Sequence, residues 1–501
     1  MKYFGLEFKD YLEKFDEIGY VDQVVHSVIY VEGLPSVSPH EVIIFEKGGL
    51  GEVLSLTADY VEVLPFFRDR VTGGDRVTRT GRVLEVPVGP GLLGKTISPL
   101  GEIITGTGGI DHGQTRPVDT LPLGILDRSE VTEALEVGVS LVDLGIPLGK
   151  GQRELVIGDR KTGKSAFLLQ AVYAQAKKGA ICVYAAIGKK RSDIKKIQDY
   201  FTKQKITANA VVVASTSEDP TGVIFITPYT AMTISEYFRD QGRDVVLILD
   251  DMTNHARFYR EITLLAQRFP GRSSYPGDIF YIHAKLLERA GKFPKGSITC
   301  FPVAETMLGD LSGYIQTNLM AMTDGHIFFD SELANLGRRP AINPFLSVTR
   351  VGLQAQTPLM KDANRELSRF LIHLDSLRQF MHFGAELNET IKKTLDLGDK
   401  LIAFFNTPTH VVVPAPVSLF IMGSLWASYW GTLGIPEMEK ETEMILKSYD
   451  DPNFKQRIDT TLAKYNRFND LVAGLKEDTS IIDLIRGMTL TPTPATQGGK
   501  A

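Results

Sequence analysis

Between about residue 18 and residue 85, the hydrophobic positions fall into short runs separated by glycine-rich turns. Examples of these runs are VVHSVIYVEGL, EVIIFE, GEVLSL and RVLEVPV. Strands this short and this closely spaced, with turn signals between them, are typical of a small barrel or sandwich. We therefore predict a β domain over residues 18–85, preceded by a leader helix over residues 1–17.

From about residue 86 to residue 353, strongly apolar runs alternate with amphipathic stretches. Four of the runs are almost continuous in valine, isoleucine and leucine: ELVIGD, ICVYAAIG, NAVVVAST and DVVLILDD. Runs of this kind are typical of parallel strands that are buried on both faces. The stretch KSAFLLQAVYAQAKK that follows the first run carries the C-terminal signals of a helix. The alternation predicts a doubly wound α/β sheet.

From about residue 354 the apolar residues recur at helical spacing, which predicts a helical domain over residues 354–488. The final residues, 489–501, are rich in threonine, proline and glycine, and we predict a disordered tail there. Residues 406–436 contain no Asp, Glu, Lys or Arg and resemble a membrane span at first sight. However, glycines and prolines interrupt the segment, and its apolar centre is shorter than the roughly 20 residues that a span needs. We therefore predict a buried helix in this segment.

Composition excludes several functional classes. The chain has 501 residues and a formal net charge of −5, so it has no general attraction for nucleic acid or anionic lipid. Its two cysteines, Cys182 and Cys300, are too few and too far apart for a disulfide framework or a zinc site. We predict that both are buried thiols in a reducing compartment. The acidic residues near the N-terminus argue against a secretory signal or a transit peptide.

The strongest chemical signal is an octapeptide that fits the pattern G-x-x-x-x-G-K-[ST]. It follows the predicted strand ELVIG and opens a predicted helix, which is the context that a phosphate-binding loop requires. In such a loop the backbone amides surround the phosphates, the lysine reaches the β- and γ-phosphates, and the hydroxyl ligates Mg²⁺. The sequence therefore predicts that ATP or ADP, with Mg²⁺, binds to Gly158, Asp159, Arg160, Lys161, Thr162, Gly163, Lys164 and Ser165.

A second element supports this prediction. The apolar run VVLILD ends in two carboxylates, Asp250 and Asp251. A carboxylate at the C-terminal end of a central strand lies beside a phosphate-binding loop and can hold the water shell of magnesium. Asp250 is the preferred candidate for this role, through a water molecule, and Asp251 is the second.

Four longer strings resemble the alpha subunit of bacterial F-type rotary ATP synthases. They are VIGDRKTGKSAFLLQ, AAIGKKRS, LILDDMTNHARFYREITLLAQRFPGRSSYPGDIFYIHAKLLERA and RRPAINPFLSVTRVG. The similarity extends from about Gly19 to about Leu401, and several strings are specific to alpha rather than beta subunits. The resemblance implies a multidomain protein with an N-terminal β-barrel, a central α/β P-loop (RecA-like) nucleotide-binding domain and a C-terminal α-helical domain.

The resemblance also implies partners and a location. Three alpha chains would alternate with three catalytic beta subunits around a gamma shaft, and a delta subunit and peripheral stalk would dock on the ring. The complex would translocate protons or sodium ions at the cytoplasmic face of the bacterial cell membrane. This chain would contact the membrane only through the complex and would bind no nucleic acid.

Two arginines acquire roles from the same resemblance. Arg350, in SVTR, matches the arginine that an alpha subunit sends into the catalytic pocket of the neighbouring beta subunit. Arg339, in RRPAIN, matches a residue near the adenine of the alpha subunit's own nucleotide. An arginine supplied across an interface stabilises the charge on the transferring phosphoryl group and increases the rate by roughly 10³–10⁵.

The pocket of this chain is predicted not to hydrolyse ATP. Catalytic beta subunits carry a glutamate after the strand that follows the P-loop helix, and alpha subunits normally carry glutamine there. This sequence has Lys189, which has only donors and cannot accept a proton from water, although it can strengthen phosphate binding. Further departures from the family pattern are Lys161, Ala321, Ala334 and the stretch 405–410, which lacks the family's glutamines. These departures predict that adenine is held loosely.

Two other functions compete with a regulatory subunit. A self-sufficient homohexameric motor, such as a secretion ATPase or an RNA translocase, needs a catalytic carboxylate in each subunit. The RNA-translocating type also needs a basic surface that bears aromatic side chains. Lys189 and the acidic net charge argue against both types, and Lys189 argues equally against a catalytic beta subunit.

Overall fold

The computed structural model describes residues 7–68, 71–109, 114–382, 388–408 and 411–490. It consists of an N-terminal six-stranded barrel, a central sheet flanked by helices, and a C-terminal helical region. The predicted fold class is therefore confirmed. The domain boundaries stay predictions, and residues 491–501 of the predicted tail lie outside the described residues.

The N-terminal barrel is closed and antiparallel, with the strand order β1-β2-β5-β4-β3-β6. Its elements are α1 (Phe8–Phe15), β1 (Gly19–Val25), β2 (Val28–Glu32), β3 (Glu41–Phe45), β4 (Leu50–Leu56), β5 (Val61–Pro65) and β6 (Arg76–Val83). Successive side chains of β3 point to opposite faces. Ile43 and Phe45 pack inside the barrel, whereas Val42 and Ile44 pack outside with Tyr11 of α1.

The central region is built on a sheet with the order β20-β19-β13-β18-β16-β14-β15-β8-β9, with β17 paired to β18. The strands are β7 (Glu85–Pro87), β8 (Thr96–Ile97), β9 (Ile103–Thr105), β10 (Thr115–Pro117), β11 (Ala134–Leu135), β12 (Leu148–Gly149), β13 (Glu154–Gly158), β14 (Ile181–Lys189), β15 (Ala210–Thr216), β16 (Asp244–Asp250), β17 (Gly291–Lys292), β18 (Ser297–Glu305), β19 (Gly325–Phe329) and β20 (Val348–Thr349). The strands from β19 to β8 run parallel, and β20 and β9 add antiparallel edges. Short antiparallel pairs form between β7 and β10 and between β11 and β12.

Helices cover both faces of this sheet, as the continuous apolar runs predicted. They are α2 (Ser140–Gly145), α3 (Lys164–Lys177), α4 (Arg191–Lys203), α5 (Thr221–Asp240), α6 (Met252–Leu265), α7 (Ile279–Leu287), α8 (Tyr314–Met322) and α9 (Ser331–Asn335). In β13, Val156 belongs to the core on one face, and Leu155 and Ile157 belong to the core on the other. A parallel strand buried on both faces has no polar side, which is why its sequence shows no alternation.

The C-terminal region is helical. Its helices are α10 (Pro358–His382), α11 (Glu389–Phe405), α12 (Ala415–Trp426), α13 (Ile435–Ser448), α14 (Pro452–Ala463), α15 (Phe468–Glu477) and α16 (Ser480–Leu490), and short 3₁₀ turns elsewhere occupy Pro90–Leu92, Ile125–Asp127, Thr207–Asn209, Arg272–Ser274 and Gly352–Ala355. Within the charge-free segment, Ala415–Trp426 forms α12, which is buried along most of its length. Within the described ranges, no helix is long and apolar enough to cross a membrane.

Two thiols and two imidazoles are buried in the central region. Cys182 and Cys300 are buried and free, as predicted. Burial also removes His255 and His283 from water, and His255 Nδ1 lies 3.1 Å from His283 Nε2. His255 Nε2 donates to the carbonyl of Phe225 at 3.0 Å, so His255 Nδ1 accepts from His283. Both rings are therefore uncharged, and burial lowers the pKa of His255 to about 4 and that of His283 well below its usual value.

Candidate nucleotide-binding site

The phosphate-binding loop joins the central strand β13 to the helix α3. Gly158 ends β13 between β18 and β19, and a Cβ added there would lie 2.3 Å from the carbonyl oxygen of Phe329, so only glycine fits. Gly163 takes a φ of 106° as the residue that caps α3. The amides that begin α3 consequently face outward at the carboxyl edge of the sheet, where a helix N-terminus attracts anions.

Lys164 is the buried cation of this loop. Its Nζ donates to the carbonyls of Gly158 and Asp159, each at 2.6 Å. Burial lowers the pKa of Lys164. Ser165, the next residue, is exposed at the start of α3, so its hydroxyl is accessible on the same side of the sheet. Their predicted roles, Lys164 at the phosphates and Ser165 at magnesium, stay predictions.

Asp159 holds the loop in place rather than facing a ligand. Its carboxylate accepts from the hydroxyl of Thr306 at 2.5 Å, from the hydroxyl of Ser331 at 2.6 Å and from the amide of Gly309 at 3.1 Å. Burial raises the pKa of Asp159, but these hydrogen bonds lower it further than burial raises it. This side chain therefore ties the phosphate-binding loop to the segments after β18 and β19.

Arg160 and Lys161, which lie at the tip of the loop, are both exposed. Arg160 Nε donates to both carboxylate oxygens of Glu305, at 3.0 and 2.9 Å. Glu305 ends β18, the strand beside β13. A carboxylate at this edge of the sheet is therefore already paired with a cation. The backbone of Lys161 has a φ of 65°, and the hydroxyl of Thr162 donates back to the carbonyl of Asp159 at 2.8 Å.

The second predicted element, Asp250, meets Lys189 at the same edge. Strands β14 and β16 are adjacent and parallel, with Ala186 opposite Asp250, so Lys189 follows at the end of β14. Lys189 Nζ lies 2.6 Å from Asp250 Oδ1 and 3.0 Å from Asp251 Oδ2. Tyr184, also on β14, donates its hydroxyl to Asp250 Oδ2 at 2.8 Å.

These contacts change the expected role of Lys189. We expected its ammonium to strengthen phosphate binding, but in this structure it bridges two buried carboxylates. Burial lowers its pKa, yet Asp250 and Asp251 more than compensate, so its pKa lies above the ordinary value for lysine. Lys189 is consequently a fixed positive charge, and it has no capacity to act as a base.

Two of the described residues, Ser165 and Asp250, could contribute to a magnesium site. The Ser165 hydroxyl is accessible, and each oxygen of Asp250 keeps a lone pair that can accept from a metal-bound water. However, Lys189 already contacts both aspartates, and its single positive charge offsets one of their two negative charges. Among the residues that the structure describes, no group of three or more His, Cys, Asp or Glu side chains could hold a metal ion. Ser165 and Asp250 are thus the described residues that would hold a magnesium ion.

Arg339 lines a cavity of about 290 Å³ between the segment after α9 and the C-terminal helices. Pro340, Phe405 and Asn406 line the same cavity, and the backbone amide of Arg339 donates to Asn406 Oδ1 at 2.5 Å. Helix α9, which precedes this segment, begins at Ser331, whose hydroxyl donates to Asp159 in the phosphate-binding loop. The cavity therefore belongs to a segment that is tied directly to that loop.

Arg350 lies immediately after β20, the antiparallel edge strand that pairs with β19. Its amide donates to the carbonyl of Asp324 at 3.0 Å, which fixes the backbone. Its side chain is exposed, and within the described part of the chain its guanidinium has no hydrogen-bond or ion-pair partner. Phe345 and Leu346, at 50% and 49% exposure, lie on the same segment. An unpaired guanidinium beside exposed apolar side chains is a surface suited to a protein partner.

Comparison with known proteins assigns this chain to a family. Residues 138–349 match the model of the ATP synthase alpha/beta family, nucleotide-binding domain. The chain is 38% identical over 443 residues to the ATP synthase subunit alpha of Clostridium botulinum (strain Eklund 17B / Type B), covering 87% of this chain and 88% of the relative. It is 36% identical over 489 residues to the corresponding protein of Lactobacillus johnsonii, covering 94% and 97%. The chain belongs to the ATP synthase alpha subunit family.

Membership of this family makes the chain a subunit of an ATP synthase, which is an ATPase complex. The same family name is carried by a protein of Dictyoglomus turgidum that is 40% identical over 443 residues. The predicted recognition, fold and general enzymatic class are therefore confirmed. The nucleotide-binding domain matched by the family model contains the whole phosphate-binding loop, Lys189 and Asp250.

Sequence reasoning missed several residues of the site. It did not assign Tyr184 or Glu305, and it did not foresee that Lys189 would pair with Asp250 and Asp251. A usable signal was present, because Lys189 and Asp250 each end an apolar strand run, and the carboxyl ends of parallel strands meet at one edge. The order of the strands in the sheet, which makes β14 and β16 neighbours, is a tertiary property that this signal does not contain.

Proposed function

We propose that the chain is a non-catalytic alpha subunit that binds ATP or ADP in its own pocket without hydrolysing it. The observation that carries the proposal is that the carboxylates around Lys164 are paired with other cations. Three of them act electrostatically on its ammonium: Glu305, Asp250 and Asp251. The first is paired with Arg160, and the other two are paired with Lys189.

Hydrolysis needs an acceptor that orients or deprotonates the attacking water. Each of these carboxylates is already in contact with a cation, so none of them is free to orient the attacking water by itself. Lys189 itself offers only donors. The pocket thus retains the groups that bind phosphate, and the three described carboxylates around Lys164 are each held by a cation, which supports binding without turnover.

The nucleotide would lie with its phosphates at the amides of Gly163 to Ser165 and with Lys164 at the β- and γ-phosphates. Mg²⁺ would be held by Ser165 and, through water, by Asp250. We assign the base to the cavity lined by Arg339, where a planar ring would contact Pro340 and Phe405. The lining also includes charged and polar side chains, among them Glu332, Arg338 and Asn406, so loose base binding stays an expectation from the sequence.

The further proposal concerns Arg350. Its exposed guanidinium is available to a neighbouring chain, and we assign it to the catalytic pocket of a beta subunit in a ring of three alpha and three beta chains. The ring would surround a gamma shaft and carry a delta subunit and peripheral stalk. It would work at the cytoplasmic face of the bacterial cell membrane and translocate protons or sodium ions.

The direct test uses the purified full chain. We expect it to bind MgATP in isothermal titration calorimetry and to hydrolyse it negligibly in a phosphate-release assay. The Lys164→Ala variant should bind about 100-fold more weakly, because the loss of a charge-assisted contact with phosphate costs about 2.7 kcal/mol. The matched control is Lys177→Ala, at the exposed far end of the same helix, which should leave affinity unchanged.

Rapid hydrolysis by the isolated chain would contradict the proposal and would favour a self-sufficient homohexameric motor. Equal affinities of the wild-type chain and Lys164→Ala would show that nucleotide binds elsewhere. Retained affinity in the Lys177→Ala control ensures that a loss in the first variant does not come from a general change of charge on α3.

A further inference from the structure

The aspartates at the end of β16 create an electrostatic problem for a nucleotide site. Asp250 and Asp251 are 5% and 2% exposed, and both act on the ammonium of Lys164, the residue to which the proposed function assigns the phosphates. Two uncompensated buried carboxylates would repel the negative charges of ATP strongly, since a low dielectric strengthens the repulsion. In an ordinary P-loop site the divalent magnesium ion, bound between the aspartate and the phosphates, removes this repulsion.

In this chain a side chain already supplies a cation at that position. Lys189 Nζ contacts one oxygen of each aspartate, at 2.6 and 3.0 Å, and its side chain is only 19% exposed. The remaining oxygens are also engaged: Asp250 Oδ2 accepts from Tyr184, and Asp251 Oδ1 accepts from the amide of Asn254 at 2.6 Å. The ammonium is thus held in a defined place by groups on three elements, β14, β16 and α6.

The charges of this cluster balance. Lys164 and Lys189 carry two positive charges, and Asp250 and Asp251 carry two negative ones, while Glu305 is paired with Arg160. Replacement of Lys189 by a neutral residue would leave the cluster with a net negative charge beside the phosphates. Such a cluster would attract a divalent cation more strongly and would repel metal-free ATP.

We propose that Lys189 takes over the electrostatic role of magnesium in this pocket, so that nucleotide binding depends only weakly on the divalent ion. The proposal rests on the nucleotide-binding function proposed above, and it adds that the pocket tolerates the metal-free form of the ligand. The pocket would accept ATP or ADP with or without a divalent cation, whereas a site with a neutral residue at position 189 would select the magnesium complex.

The test compares ATP binding by the full chain in excess EDTA and in excess Mg²⁺, by isothermal titration calorimetry. For the wild-type chain we expect the two dissociation constants to differ by less than about tenfold, which corresponds to about 1.4 kcal/mol. In Lys189→Gln the ratio should increase by at least about tenfold, because metal-free ATP then meets an uncompensated carboxylate. The control Lys190→Gln removes the same charge from the adjacent exposed residue and should behave like the wild type.

A second measurement uses the metal alone. Mn²⁺ binding, followed by the loss of its free electron paramagnetic resonance signal, should be weak in the wild-type chain and tighter in Lys189→Gln. If the wild-type chain loses ATP affinity more than about 100-fold in EDTA, the inference is overturned whether or not the variant folds. It is also overturned if the variant folds and its metal dependence matches that of the wild type. In both cases the chain still binds MgATP, so the proposed function stands. Absence of ATP binding both in EDTA and in Mg²⁺ would instead refute the proposed function, and the inference with it.

Discussion

Replacement of Arg350 by alanine is expected to lower ATP hydrolysis by the assembled ring about 10³–10⁵-fold, the range measured for arginines supplied in trans. The isolated chain should bind nucleotide as before, because Arg350 lies at the β20 edge and has no contact with the phosphate-binding loop among the described residues. The rate of phosphate release by the ring, measured over a range of ATP concentrations, checks the prediction. The loss should appear in kcat, since the guanidinium stabilises charge that develops in the transition state.

The control for this experiment is Arg365→Ala. Arg365 is exposed on α10, and its nearest carboxylate, Asp362, is 4.0 Å away. Its removal should change the rate by less than about twofold, in line with the small energies of exposed ion pairs. A ring that contains Arg350→Ala and turns over ATP at the wild-type rate would show that the finger comes from another residue. Arg350→Lys should recover little activity, because lysine cannot make the bidentate contact of a guanidinium.

The buried imidazole pair should make the central region sensitive to acid. Both His255 and His283 have pKa values lowered by burial, that of His255 to about 4, whereas both bind protons near pH 6.5 in the unfolded chain. Above pH 6.5 the two imidazoles are neutral in both states and do not favour unfolding. As the pH falls below 6.5 they bind protons in the unfolded chain first, so the free energy of unfolding decreases. At pH 5, protonation of His255 in the unfolded chain should lower the free energy of unfolding by about 2 kcal/mol relative to pH 8, and His283 should add to this loss.

Pulse proteolysis of the full chain in urea, at pH 8 and at pH 5, measures this loss. The matched variant is His255→Gln combined with His283→Gln, since an amide can make hydrogen bonds but does not titrate. We expect the double variant to be less stable than the wild type at pH 8 and to lose less stability between pH 8 and pH 5. An identical pH dependence of the two proteins would mean that other groups cause the acid sensitivity.

The local structure of the site followed from short stretches of sequence. The octapeptide from Gly158 to Ser165 predicted the loop and the start of the helix. Its glycines permit the φ angles of the loop, and the lysine and the hydroxyl lie within the same eight residues, so the signal is local. The apolar runs predicted the parallel strands in the same way, since a strand buried on both faces needs no polar positions. The spacing of apolar residues also predicted the helical region and a small barrel or sandwich, and the family resemblance favoured the barrel; both the barrel and the helical region are present.

The chain's sequence by itself therefore determined the secondary structure, the phosphate-binding loop and the absence of a base at position 189. Only the tertiary structure decided what Lys189 does. Sixty-odd residues separate it from Asp250, and the two meet because β14 and β16 are neighbours in the sheet. The same holds for Asp159, whose partners Thr306 and Ser331 come from distant strand ends. Charges interact through space, so the partner of a charged residue depends on strand order, which local patterns do not encode.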